Sequence, residues 1–180
     1  MRALVVYESM FGNTREVAQA VAKGLQESMT TDLVEVGTAP TVLGDDISLL
    51  VVGGPTHAFG LTRPSTREDA ANRVAGTPLV STGTGLREWL DALGRTPNRI
   101  AAAAFDTKAN RPRLPGSAAR AAHKRLRWLR FTTIAAPNSF YVADMTGPLI
   151  EGELDRAYRW GEALGSAWAS GHRRAETGTS

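Results

Sequence analysis

The 180 residues are enough for one sizeable core, and apolar and charged fractions of 42% and 22% are those of an ordinary globular domain. The absence of cysteine excludes disulfides, thiol redox chemistry and cysteine-ligated zinc or iron–sulfur sites, and no apolar run nears the roughly 20 residues that span a bilayer. The net charge of +3 is too small an excess to mark a nucleic-acid protein by itself.

The chain opens directly on an apolar run, Ala3–Tyr7, that reads as a strand. No charged n-region and long apolar h-region come first, so a cytoplasmic location is expected. The strand gives way to "ESMFGNT" and a helix over Thr14–Glu27, with Val17, Val21 and Leu25 on one face. Asn13 followed by Glu16 resembles a capping box. Ser9, Gly12, Asn13 and Thr14 are more small polar residues than a turn needs. Backbone N–H groups at a helix start favour an anion, and Gly12 allows close approach or positive φ. No Lys or Arg lies within Glu8–Thr14, so an anion here would depend on neutral donors. An ordinary capped helix start accounts for the same residues equally well.

A strand over Leu33–Val36 and another over Ile47–Gly53 follow, the latter ending in "GGPTHAFGLTRP", 53–64. Pro55 fixes the backbone there, and His57 with Phe59 suits the face of a planar heterocycle; a structural histidine is the alternative. The stretch from Leu61 to Gly85 is longer than a bare connection requires and carries a short helical pattern near Ser65–Val74. It could be a wall or lid, a packing excursion or a dimer contact. A helix over Leu86–Leu93 and a strand over Ile100–Phe105 lead to "FDTKANRPRLPG", 105–116, with Lys108, Arg111 and Arg113. Ser117 can cap a helix over Ala118–Leu129. There Ala119, Ala122, Leu126 and Leu129 form an apolar stripe opposite Arg120, Lys124 and Arg127, a solvated face rather than a phosphate-backbone contact. A less distinct strand, Ile134–Val142, precedes a last helix over Gly152–Ser170, whose stripe runs through Leu154, Ala157, Tyr158, Gly161, Leu164, Gly165 and Trp168, with Trp160 partly off it. The reading is a single domain, 1–171, with a polar tail, 172–180, that frays.

This alternation implies an α/β fold: a five-stranded parallel sheet with helices on both faces. Ligands in such sheets sit beyond the carboxyl ends of the strands, where the loops after strands one, three and four meet. A response regulator would want an Asp ending the third strand, where Gly53-Gly54-Pro55 stands, and a dinucleotide fold would want G-x-G-x-x-G, where only Gly12 is present. His57, His123 and His172 are too scattered to suggest a metal site.

The motifs "YESMFGNT", "GGPTHAFG", "AAAAFDTK" and "SFYVADMTGPLIEGEL" follow one another as in the flavodoxin family, which the chain resembles over nearly its full length. The resemblance implies FMN as cofactor. Ser9, Met10, Phe11, Gly12, Asn13 and Thr14 would surround its phosphate, with Phe11 standing where many members have Thr. Pro55, Thr56, His57, Ala58, Phe59 and Gly60 would follow the ribityl chain and one ring face, and Asp106, Thr107 and Lys108 would border the other side. The basic charge and the lack of an aromatic after Phe105 depart from the acidic electron-carrier flavodoxins. The function implied is electron transfer to a redox partner protein, or reduction of a small acceptor such as a quinone by an FMN-dependent oxidoreductase. A cation such as Lys108, Arg63 or Arg111 near the ring would favour the reduced state. The alternatives are a flavodoxin-like module that is not redox-active or binds another flavin, such as a deazaflavin, and a basic interaction protein. No membrane partner is expected, and no helix-turn-helix, RNA-recognition or zinc-finger pattern supports a nucleic-acid partner.

Overall fold

The computed structural model describes residues 1–57, 59–74, 79–95, 100–110 and 115–177. The apolar runs become β1 (Arg2–Tyr7), β2 (Thr31–Glu35), β3 (Ile47–Pro55) and β4 (Ala101–Ala109). The less distinct fifth run divides into β5 (Thr132–Thr133) and β6 (Asn138–Val142), either side of Pro137, which cannot donate to a ladder. All pairings are parallel in the order β2-β1-β3-β4-β5, with β6 also on β4. Strand order therefore reverses between β1 and β3, the place where α/β sheets bind ligands. β6 pairs with Phe105–Ala109, which carries β4 beyond the predicted end at Phe105.

The helices are α1 (Asn13–Gln26), α2 (Pro64–Arg73), α3 (Leu86–Ala92), α4 (Ala118–Trp128) and α5 (Glu153–Thr177). Successive strand residues point to opposite faces. Val5, Leu49, Val51, Ala103 and Phe105 therefore pack with α1 and α5, while Leu4, Val6, Leu50, Val52 and Ala104 pack with α3 and α4. Each large side chain buried this way contributes about 1.5–3 kcal/mol. Ser117 caps α4, its hydroxyl accepting from the Arg120 N–H, and Arg120, Lys124 and Arg127 are exposed on the outer face.

Two details of α5 differ from the sequence reading. Leu154 is 43% exposed, whereas Trp160 packs edge-to-face against Phe105 and Phe140 with ring centroids 6.0 Å apart. The buried stripe begins at Ala157 and leans toward Trp160. The helix also continues to Thr177, past the start of the polar tail at His172. Among the described residues no helix is long and apolar enough to cross a membrane.

Candidate functional site

Gly12, not Asn13, is the N-cap of α1, at φ 98° in the left-handed region. The capping box expected of Asn13 and Glu16 does not form. The Asn13 carboxamide instead donates to the Thr146 carbonyl at 3.0 Å, tying the helix start to the segment after β6. Ser9 does the capping: its hydroxyl oxygen accepts from the N–H groups of Gly12 (3.1 Å) and Arg15 (3.3 Å). The N–H groups of Met10, Phe11, Asn13 and Thr14 find no acceptor among the described residues. The Thr14 and Thr107 hydroxyls lie 2.7 Å apart, so one of their two protons is left for another acceptor. The loop thus offers neutral donors in the positive field of a helix start.

The second loop closes tightly. His57 and Gly60 exchange backbone hydrogen bonds of 3.0 Å around Phe59 at φ 73°. Gly116, at φ 89°, lies directly against the Phe59 backbone, where a Cβ would collide. Phe59 itself is 62% exposed, so its ring is not packed over the site. Ala58 lies outside the described residues, as do Arg111 and Arg113. Burial pushes the His57 pKa down; a hydrogen bond with the Thr66 backbone opposes this, and the Arg67 charge adds to it.

The stretch from Leu61 to Gly85 builds a wall. Pro64 starts α2, and the Thr66 hydroxyl accepts from the Arg63 N–H at 2.9 Å. Fully buried Glu8 anchors the wall from behind. Its carboxylate accepts from the Thr62 hydroxyl and, at 2.8 Å, from the Leu86 N–H. Arg67 donates to the Thr62 hydroxyl oxygen and to Glu88. The segment returns beside the first loop, where the N–H groups of Val80 and Ser81 donate to the carbonyls of Met10 and Ser9.

Thr107 and Lys108, expected in the third loop, are on β4, because β6 extends that strand. Asp106 turns away from the opening and is fully buried. Its Oδ2 accepts from the hydroxyls of Thr56 (2.9 Å) and Ser117 (2.6 Å) and from the Ala119 N–H (2.9 Å). Because Thr56 also accepts from the Ala118 N–H, its hydroxyl proton is committed to Asp106. Asp106 therefore positions Thr56 rather than facing the site.

These loops enclose a cavity of about 390 Å³, within the range of roughly 300–1,000 Å³ for small-molecule sites. Met10, Phe11, Asn13, Thr14, Pro55, Thr56, His57, Thr107 and Lys108 line it, as the sequence reading groups them. Ser9, Gly12 and Asp106 stand behind the lining, and Phe59 and Gly60 lie outside it. Thr66, Asp69 and Ala70 from α2, Ala109 from β4, and Val142, Asp144 and Met145 after β6 complete the lining. Sequence reasoning missed these seven; the turn signal in "VADMTGP" was the available cue for the last group. With Asp69 and Asp144 set against Lys108, the described lining is not the cationic surface that the basic chain suggests. The neutral donors of the first loop and a slot lined by apolar and polar side chains fit a phosphorylated planar heterocycle such as FMN. Among the described residues no His, Cys, Asp and Glu group could hold a metal ion.

Residues 5–75 match the flavodoxin family model. Among curated proteins no match is found. A flavodoxin from the domain Archaea superposes with a TM-score of 0.62 at 17% identity, covering 94% of this chain and 99% of that one. Flavodoxin 1 from Bacillus cereus gives 0.64 at 14% identity, covering 94% and 98%. Rubredoxin oxygen:oxidoreductase from Desulfovibrio gigas gives 0.67 at 16% identity, but this chain spans only 36% of it. The chain has the flavodoxin fold, and its residues 5–75 are similar in sequence to the flavodoxin family.

Proposed function

We propose that the cavity binds FMN and that the protein passes electrons to a redox partner protein or to a small acceptor such as a quinone. The observation that carries this reading is the juxtaposition of the N–H groups of Met10, Phe11, Asn13 and Thr14, which have no acceptor among the described residues, with a slot at the sheet's switch point. The phosphate would lie on those N–H groups and the shared Thr14–Thr107 proton, as anions do at helix starts. Pro55 and His57 from one side and Thr107 and Lys108 from the other would border the remainder. When bound, FMN supplies the electron chemistry; the chain holds it, sets the charge around it and limits solvent access. His57, whose burial favours the neutral imidazole, would offer a polar but uncharged edge.

A second reading, a binding module for another flavin without redox activity, has one observation in its favour. Among the described lining residues the aromatic side chains are Phe11 and His57 alone, so no pair of large rings encloses a flavin. Titration of the protein with FMN, followed by flavin fluorescence and absorption, tests the first reading. Saturable quenching with a perturbed flavin spectrum, and reversible photoreduction of the complex, are expected. Absence of FMN binding would overturn the reading; binding without reversible reduction would favour the second.

A further inference from the structure

The loop over residues 9–14 carries no cation, yet a phosphomonoester is close to a dianion at neutral pH. The structure brings one from just outside. Arg15, the third residue of α1, brings its guanidinium beside the Gly12 turn. Its Nη2 lies 3.8 Å from where a Cβ on Gly12 would stand. The same group is near the Tyr7 hydroxyl, where its charge opposes the rise that burial imposes on the Tyr7 pKa. The side chain is exposed, and no carboxylate lies within ion-pair distance of it among the described residues. Glu35, whose charge also acts on Tyr7, is engaged by the Gly37 N–H and the Ser81 hydroxyl. Glu16 follows on α1 but projects roughly 100° away around the helix. The backbone N–H of Arg15 is held by Ser9, so the base of the side chain is fixed to the loop it adjoins.

We propose that Arg15 is the charge-selecting residue of the site: from beside the loop, just outside the cavity lining, its guanidinium favours a doubly charged phosphomonoester over an uncharged flavin tail. This rests on the FMN reading above and adds to it, since the neutral donors alone distinguish phosphate from hydroxyl mainly by hydrogen bonding. A guanidinium matches a phosphate's oxygens in pairs. Being exposed, it acts through a screened interaction whose strength depends on salt.

The test compares FMN with riboflavin, which lacks the phosphate, on the full chain and on Arg15→Gln and Arg15→Lys. At low salt Arg15→Gln should weaken FMN by about two- to fivefold and leave riboflavin unchanged. Arg15→Lys should retain most of the FMN affinity, and the gap between wild type and Arg15→Gln should shrink as salt rises. Unchanged thermal unfolding of the flavin-free variants would show that the fold is intact. Equal loss for both flavins, or equal FMN affinity in wild type and Arg15→Gln at low salt, would overturn the role of Arg15 and leave the FMN reading standing. Failure of the wild-type chain to bind FMN would overturn both.

Discussion

The carboxylate of Glu8 is wholly buried between the end of β1 and the segment that forms the cavity wall, accepting from the Thr62 hydroxyl and the Leu86 N–H. Burial raises its pKa; the two hydrogen bonds and Arg67 oppose the rise, and Glu88 adds to it. A carboxyl whose folded-state pKa exceeds its unfolded value adds stability at pH below the unfolded value, and this is lost as pH rises through the folded one. Glutamine resembles the protonated acid, with a carbonyl for the Leu86 N–H and an amide for the Thr62 oxygen. Glu8→Gln should therefore match wild type in acid and gain on it as pH rises above the ordinary carboxyl range of about 4.3. Denaturant unfolding across that range checks this; parallel profiles would show that burial of the charge has no net cost. Such a residue is hard to read from sequence because Thr62 and Leu86 are 54 and 78 positions away. Ser9 and Thr14 were legible as donors from their place before a helix. That the oxygen of Ser9 would serve its own loop was not.

At the scale of elements, α1 and α5 meet backbone to backbone. A Cβ on Gly161 would strike the Val21 carbonyl, and one on Gly24 would strike that of Tyr158. Both glycines are buried within α-helices, where alanine would otherwise be preferred by about 1 kcal/mol. Gly161→Ala should nonetheless destabilise the protein by about 2 kcal/mol through overpacking, lowering Tm by about 4–8 °C; a Tm at or above that of wild type would show that the helices separate at little cost. Periodicity made these helices and the first four strands readable, because strands buried on both faces leave long apolar runs. The fifth position was blurred because Pro137 breaks it into β5 and β6. That break also hid the extension of β4, and with it the placement of Thr107 and Lys108 on a strand. The polar character of α2 did not decide among the wall, packing and dimer readings of the stretch from Leu61 to Gly85. Its position depends on Glu8 and Arg67 rather than on an apolar stripe.

Over the whole molecule, much of the positive charge lies away from the cavity lining. The exposed cations Arg120, Lys124 and Arg127 stand on the outer face of α4, and the guanidinium groups of Arg95 and Arg125 lie 4.7 and 4.4 Å from the centre of the Trp128 ring at that helix's carboxyl end. The cavity, at the other end of the sheet, is lined by Asp69 and Asp144 as well as Lys108. Net charge is thus a poor guide to the site. A ligand that contacts loops from β1, β3 and β4 together stabilises the fold as a unit. At a free FMN concentration a hundred times Kd the gain should be about 2.7 kcal/mol, raising Tm by about 5–11 °C. A thermal scan with and without FMN reads this, and no shift would count against binding across those loops. The return of Val80 and Ser81 alongside the first loop has a consequence for how such a ligand is received. In a trans peptide the carbonyl and the following N–H point in opposite directions. By gripping the carbonyls of Ser9 and Met10 from outside, Val80 and Ser81 fix the N–H groups of Met10 and Phe11 facing the other way. These peptides are oriented before anything enters, so a guest bound there would not spend binding energy on turning them toward itself.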